Sequence, residues 1–585
     1  MFLTDGSFAW GQHRVTVNPN VRHQTVEGWG SFLRRADTAT LTAWRDLGLN
    51  IMRMQIAKNT LVASPTDWRI RVPLGPNLQE NVAKFNMNVG TAGSFVDVAG
   101  FGMNAQWLAA NVWEPSRFKL IADAWTPPHW MKGPTGFSQQ WVGNPSWNSP
   151  ARPTPWLSNE YNHWVGGTYF HSYTGDSIGG RLRTEDPVVM QEYGRYFAAY
   201  IKAWEQRYGV PIHNISIQNE SGFENPFDSM TLMSTATGAN DPNQYALALK
   251  SVKDAFTAQG ITTKVRGPHF ASLRENPQNP WAFLHQMNMI NAVKNHPDRT
   301  LIDFLWAYTS NFYDGLSEGS VMNVAAYWRG RNNVPGPWTH WAPMGGVGAD
   351  GKQNWFVETG DGPDTWLTGP GGTPGNGAIT VALKMHNAMV HGNASAYLYW
   401  DFIDGTTSPT EHSLLGSQQV NNPTASRKYS AFGQFSRFVR PGAVRVDALF
   451  TGGVTSILGN SEYDTLNSVN VSAYLHDEDR TLTIVLLNML STSQSVTLDI
   501  PSSLGMTQLT VHRTTGTQNL ANLGTVQLLT ASGLTQSVTV TLPAYSVVTL
   551  TGRTFVVIPE PSGAAASLVA AMGLLSIRWR RGGLG

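Results

Sequence analysis

The chain has 585 residues, with 41 Lys and Arg against 40 Asp and Glu, a formal net charge of +1, and no cysteine. So even a balance builds no strong global field, which argues against nucleic acid and acidic membrane surfaces as partners and favours a neutral ligand. The lack of Cys removes disulfides, thiolate metal sites and Cys nucleophiles together, and the length exceeds one ordinary domain.

Arg14–Val17 is strand-like and is expected to join a sheet whose other strands come much later. Apolar, strand-like runs follow at Val26–Gly30, Asn50–Ile56, Phe118–Trp125, Ile212–Gln218, Lys264–Gly267, Leu301–Tyr308, Asn354–Glu358 and Ala394–Phe402. Helical patterns lie between most of them, at Thr38–Leu47, Pro187–Tyr208, Pro242–Gln259, Gly377–His391 and Arg427–Phe438. In Pro187–Tyr208 the residues Tyr193, Tyr196, Phe197, Tyr200, Ile201 and Trp204 form one apolar stripe, and Gly209 and Pro211 stop the helix. This alternation predicts an α/β fold, a (β/α)8 TIM barrel. An open doubly wound sheet alternates likewise, but no Gly-rich dinucleotide fingerprint follows the first strand.

Between the third and fourth strands, Gly133–Asp186 is rich in Pro, Gly, Asn and aromatic residues and has no clear period. It includes Trp141, Trp147, Trp156, Tyr161, Trp164 and Tyr169. A loop of this length, after a barrel strand, is expected on the active face as a wall of a substrate cleft. Flat apolar rings such as Trp suit the faces of sugars, and the chain has 22 Trp.

After Arg440-Pro441-Gly442 the period changes to two. Val469–Leu475 and Leu482–Leu487 flank a polar turn, and Val496–Ile500, Leu509–His512, Val526–Leu529, Val538–Leu542 and Val547–Leu550 follow. That pattern marks an attached antiparallel β-sandwich. The expected division is 12–25 for the first strand of the side sandwich, 26–436 for the catalytic barrel, 437–553 for the sandwich, and 554–585 for a tail.

Two apolar strands end in glutamate. Ile215-Ser216-Ile217-Gln218-Asn219-Glu220 closes the fourth strand and Asn354-Trp355-Phe356-Val357-Glu358 the seventh. Barrel enzymes place chemistry at the C-terminal ends of their strands. Two carboxyl groups three strands apart can face each other across that mouth. Retaining glycoside hydrolysis needs such a pair, one group protonated and one ionised, about 5–5.5 Å apart. Glu220 and Glu358 are therefore the candidate catalytic pair. Glu224 and Asp361 compete with them but lie past the strand ends. The histidines show no metal-ligand spacing and no phosphate-binding loop is present, so no metal and no cofactor are expected.

The same residues carry a resemblance to glycoside hydrolase family 30, in clan A of the (β/α)8 enzymes. Matching runs are Val26–Gly30, Asn50–Met54, Ala124–Lys132, Ile215–Glu220, Tyr397–Asp401 and the long run Tyr429–Gly442, and the similarity extends from about residue 14 to 553. The resemblance implies Glu220 as acid/base and Glu358 as nucleophile. It also implies that Arg53 reaches the nucleophile, that Asn219 binds the sugar 2-hydroxyl, that Trp125 and Trp400 shape the sugar subsite, and that Tyr308 reaches the nucleophile. Two positions depart from the family pattern. The first strand reads Gly28-Trp29-Gly30-Ser31 rather than Gly-Phe-Gly-Gly, and Asp401–Gly405 lacks the arginine with which glucuronoxylan-specific members pair the uronate.

The C-terminus resembles the PEP-CTERM sorting signal. Pro559-Glu560-Pro561 precedes an apolar stretch, Ala564–Ile577, and then Arg578, Arg580 and Arg581. This implies export to the cell envelope or extracellular matrix, with transient membrane and exosortase contact through the tail. Met1–Gly6 lacks the basic and apolar regions of a signal peptide, so export predicts a start upstream of Met1. The expectation is an exported, endo-acting retaining hydrolase of a β-linked polysaccharide of the xylan, β-1,6-glucan or β-1,6-galactan class. The alternatives are an exo-β-glycosidase on short glycans and a non-catalytic carbohydrate-binding matrix protein.

Overall fold

The computed structural model describes residues 13–555 apart from 35, 62–70, 91, 93–95, 134–161, 166–167, 172–175, 223–227, 236, 238, 274–281, 335–344, 361, 405–411 and 417–423. Eight parallel strands close into a barrel: Gly28–Phe32, Ile51–Gln55, Lys119–Asp123, Ile212–Ser216, Lys264–Arg266, Leu305–Ser310, Gln353–Phe356 and Ala396–Asp404. The last strand pairs with the first, Tyr397 opposite Trp29, and with the seventh, Phe356 opposite Tyr397, so no edge is left inside the ring. Side chains alternate along each strand. Ile51, Ile121, Ala307, Trp355, Ala396 and Leu398 fill the interior, and the opposite faces pack under the helices in a much larger core.

Close strand contact sets the first strand's composition. A Cβ on Gly30 would lie 1.9 Å from the Ile51 carbonyl oxygen, and one on Gly28, at φ +141°, would lie 1.8 Å from Asn50 Oδ1. Only glycine fits there. The helix Pro187–Tyr208 starts and ends where the local chemistry dictates. Asp186 accepts from the Val188 and Val189 amides, Pro187 stands at the first turn, and Gly209 turns left-handed at φ +69°.

Some elements differ from the sequence reading. Leu301–Phe304 is a helical turn rather than strand, because the Leu301 amide bonds back to the Asp298 carbonyl at 3.0 Å, and the sixth strand starts at Leu305. Val98–Asn111 is a barrel helix with no polar stripe to reveal it, and it packs so closely that a Cβ on Gly102 would meet the Tyr208 ring. Within Gly133–Asp186, read as one long loop, Asn162–Val165, Thr168–His171 and Asp176–Ile178 form a small antiparallel sheet, and Arg181–Leu182 pairs with Lys132–Gly133. Residues 134–161, with Trp141, Trp147, Trp156 and Tyr161, lie outside the described residues.

The second body is a mostly antiparallel sheet of 11 strands. The segment before the barrel runs through its middle as His13–Thr25, pairing antiparallel with Val444–Phe450 and parallel with Gln494–Pro501. Val15, Val446, Ile484, Leu498 and Val540 share its core, so strands remote in the pairing order face one another. Val526–Leu529 is not one strand. Leu528 turns inward with its amide on the Thr507 carbonyl at 2.9 Å, which splits Ala521–Gln527 from Leu529–Ser532. The helix Arg427–Ser436 joins the two bodies: Gln434 Nε2 donates to Thr514 Oγ1 at 2.7 Å and the Gln434 carbonyl accepts from Thr549 at 2.8 Å. The distinctive run Tyr429–Gly442 thus lies along the seam between them, with Phe432, Gln434, Phe435 and Val439 buried. Among the described residues, no helix is long and apolar enough to cross a membrane. The tail from residue 556 lies outside the described residues.

Candidate active site

The fourth strand stops at Ser216, and the chain then turns so that Gln218, Asn219 and Glu220 crown the barrel. Gln218 Nε2 donates to the Trp125 carbonyl at 2.7 Å, and the Asn219 amide bonds to the Ala124 carbonyl at 2.6 Å, which ties this turn to the third strand's end. Glu220 is held at φ +50°, in the left-handed region that a non-glycine residue enters at some cost and that recurs at functional sites. The adjoining Ser221 amide is pinned to the His269 carbonyl at 2.7 Å.

Glu358 emerges from the seventh strand. Its backbone carbonyl accepts from the Phe312 amide at 2.6 Å. Its side chain pairs with Arg53 Nη1 and accepts from Tyr313 Oη at 2.8 Å. Glu220 and Glu358 are each 7% exposed, screened from bulk water yet still reachable, whereas the residues beneath them are sealed at 0%.

Arg53 connects the two sides. Besides Glu358 it donates through Nη2 to Asn219 Oδ1 at 2.8 Å and through Nε to Asp123 Oδ2 at 2.6 Å. Its guanidinium carbon lies 4.7 Å from the Trp125 ring centroid and 5.6 Å from that of Trp400, within cation–π range. Trp125 and Trp400 are 5.8 Å apart, and Phe32 stacks on Trp400 at 4.8 Å. Burial works against the Arg53 cation, but Asp123 and then Glu358 outweigh it and raise its pKa.

Six of the residues expected from sequence therefore gather at one mouth of the barrel: Glu220, Glu358, Arg53, Asn219, Trp125 and Trp400. Tyr308 does not join them. Ala307 points into the barrel, so the next residue on the strand points out. Tyr308 sits in the core under the helices and donates at 2.5 Å to Asp350, which precedes the seventh strand, and not to Glu358, which follows it. The tyrosine on Glu358 is Tyr313, beyond the strand's end. Burial first, then the charges of Glu358 and Glu220, lift the Tyr313 phenol well above its ordinary pKa, so it remains a donor. Glu224 and Asp361 lie outside the described residues.

Sequence reasoning also missed the supports of this site. Asn311 donates through Nδ2 to Glu220 Oε1 at 3.1 Å and is bonded through Oδ1 to His269 Nε2 at 2.6 Å. Since Asn311 Oδ1 can only accept, His269 carries its proton on Nε2. Burial, chiefly, pushes the His269 pKa down to about 3, so the ring is neutral. Asp123 is fully buried, and although burial opposes its charge, Arg266 and Arg53 hold its pKa below the usual carboxylate value. A charged residue inside the apolar strand Leu120-Ile121-Ala122-Asp123 was the available signal. Among the described residues, no three His, Asp or Glu side chains gather as metal ligands would.

This is a (β/α)8 barrel with a side sheet and an acidic pair at the C-terminal mouth. Solved structures share that architecture. A glycoside hydrolase family 30 endoxylanase from Clostridium papyrosolvens C71 matches with a TM-score of 0.56 at 21% identity, over 92% of this chain and 100% of that one. A family 30 subfamily 8 xylanase from Clostridium acetobutylicum matches with 0.57 at 20% identity, over 92% and 100%. An endo-β1,6-glucanase matches with 0.56 at 16% identity, over 93% and 94%. At these identities the likeness establishes a family 30-like fold. Among curated proteins, Glucuronoxylanase XynC of Bacillus subtilis (strain 168) is 33% identical over 101 residues, which is 16% of this chain and 22% of that protein's length. No protein-family model matches the sequence.

Proposed function

We propose that the chain is a retaining glycoside hydrolase of the family 30 type, which cuts a β-linked polysaccharide internally with Glu358 as nucleophile and Glu220 as acid/base. The observation that carries this reading is the turn 311–313. Asn311 holds Glu220 and Tyr313 holds Glu358, while Arg53 spans Asn219 and Glu358. One mouth thus holds two carboxyl groups with unlike partners. Glu358 takes a guanidinium and a phenol, partners that suit an attacking carboxylate. Glu220 takes a neutral amide, itself set by a neutral imidazole, which suits a group that must give a proton and later take one back.

In the first step the Glu358 carboxylate attacks the anomeric carbon and the bond to the departing oxygen breaks. That oxygen receives the Glu220 proton. In the second step Glu220, now a carboxylate, takes a proton from water. The water oxygen bonds to the anomeric carbon, the Glu358 ester bond breaks, and both glutamates return to their starting forms. Arg53 occupies Asn219 Oδ1, which leaves Nδ2 to donate to a sugar hydroxyl. Trp125 and Trp400 offer the aromatic surface beside it.

The similar proteins named as endoxylanase and endo-β1,6-glucanase support the substrate classes xylan and β-1,6-glucan, with β-1,6-galactan a third of the same kind. The tail 554–585 is read as the sorting signal of an exported enzyme. Glu358→Gln should abolish turnover of an activated aryl β-glycoside, by at least about 10³-fold. A 2-deoxy-2-fluoro glycosyl fluoride should label Glu358, seen as a peptide adduct by mass spectrometry. Undiminished turnover by Glu358→Gln would end this reading. Product lengths from the three polysaccharides then assign the substrate.

A further inference from the structure

Beneath the mouth, the barrel interior holds a row of alternating charges: Arg266, Asp123, Arg53 and Glu358. Arg266 Nη2 pairs with Asp123 Oδ1, Asp123 Oδ2 accepts from Arg53 Nε, and Arg53 Nη1 pairs with Glu358. Arg266, Asp123 and Arg53 are each 0% exposed. Neutral groups anchor the far end. Arg266 Nε donates to Asn214 at 2.7 Å and Nη1 to Thr309 at 3.3 Å. Arg266, Asp123 and Arg53 stand on the fifth, third and second strands, and Glu358 lies two residues past the end of the seventh.

Isolated buried charges are costly, and buried rows persist when their signs cancel. Arg266 and Arg53 set two cations against the single anion Asp123. The row is neutral only when Glu358 supplies the second anion. We infer that Asp123 and Arg266 are positioning residues of the reaction, which act through Arg53 to fix the orientation and the charge of the Glu358 nucleophile. The other ionisable groups facing the row are His269 after the fifth strand, Tyr245 from the helix Asn243–Gln259, Tyr313, and Glu220 across the mouth. His269 stays neutral and both phenols stay protonated, so the sign of the field at Glu358 is set by the row itself.

The inference rests on Glu358 being the nucleophile, and its test separates the two. Asp123→Asn removes an anion two places from Glu358, so it should move the acidic limb of the kcat/KM profile to lower pH by about one pH unit. Arg266→Gln leaves Arg53 shared with an uncompensated Asp123, so it should move the same limb upward by a similar amount. The double variant restores buried neutrality. Its limb should return to within about 0.3 of wild type, with kcat lowered roughly ten-fold and KM little changed, because Arg53 has lost its grip. Both single variants and the double are assayed on the aryl β-glycoside that the wild type turns over. Damage to packing alone would lower kcat in all three and leave the limb in place. Limbs that stay put, or that move the same way in both single variants, overturn the inference. If Asp123→Asn does not fold, Arg266→Gln against the double variant carries the test. Labelling of Glu358 by the fluoro sugar in each variant shows that such a failure belongs to the row and not to the nucleophile assignment.

Discussion

His386 offers a test of the seam between barrel and sheet. It lies on the helix Ile379–Val390, every residue of which is buried, and neither ring nitrogen has a hydrogen-bond partner. The His391 ring is 6.2 Å away, the Tyr463 ring lies tilted against His391 at 5.4 Å, and the charges close to the pair are Arg445 and Arg329. Burial first, and Arg445 second, push the His386 pKa from 6.5 down to about 3. The folded value lies below the unfolded one, so the unfolded chain takes the proton first. The stability that depends on this site is therefore complete above pH 6.5 and is lost as pH falls from 6.5 toward 3. Between pH 7 and pH 4 the unfolded chain gains nearly one proton here, at a cost to stability of about 3 kcal/mol. His386→Leu removes the titration together with two unpartnered ring nitrogens. It should match the wild type near pH 7 and exceed it by about 3 kcal/mol near pH 4. Urea denaturation of both proteins at both pH values, followed by Trp fluorescence, gives the difference, and the carboxylates cancel in the comparison. A gap that does not widen on acidification would refute the reasoning, since it would mean that His386 is protonated, or finds a partner, in the folded protein.

Two further outcomes concern the acidic pair. Tyr313→Phe should lower kcat/KM about 10- to 100-fold with little change in melting temperature, the loss expected of one charge-assisted hydrogen bond of about 1.5–3 kcal/mol; wild-type kinetics would remove Tyr313 from the site. Glu220→Gln should slow cleavage of natural linkages by about 10³-fold or more, while dinitrophenyl glycosides, whose leaving group needs no proton, suffer far less. Azide should then restore turnover with release of a β-glycosyl azide, and equal losses on both substrate types would count against the acid/base role.

The barrel was legible because each of its strands is an apolar run of limited length between helical patterns, and the side sheet because its period changes to two after Gly442. That Arg14–Val17 joins the later sheet was expected from the sequence, but its particular pairings with Val444–Phe450 and Gln494–Pro501 came from the structure. Strand ends pointed to Glu220 and Glu358, whereas Arg53, Asn219 and the two tryptophans came from the resemblance to family 30 and not from any periodicity. Tyr308 went wrong for a related reason. It stands near a strand end, but on the outward parity, and one strand end marks both kinds of residue alike. Parity was readable in principle, because Tyr308 neighbours the inward Ala307, but it needed the phase of the sixth strand, and that phase was blurred by the helical turn Leu301–Phe304 ahead of it.

Asn311 and Tyr313 were invisible for a deeper reason. They follow the sixth strand in a turn without periodicity, and their meaning lies in what they reach. The spacing explains how one turn serves both glutamates. The Asn311 amide bonds to the Phe270 carbonyl at 2.6 Å on the fifth-strand side, and the Phe312 amide bonds to the Glu358 carbonyl at 2.6 Å on the seventh-strand side. The turn is thus stitched to both neighbouring strand ends. Asn311 reaches back past His269 to Glu220, and Tyr313 reaches forward to Glu358. Arg53 makes the complementary link from the opposite wall, through Asn219 and Glu358. The turn and Arg53 thus link the Glu220 and Glu358 sides of the mouth by two separate routes. Under the proposed mechanism, the guanidinium and phenol on Glu358 are what suit it to the nucleophile's part.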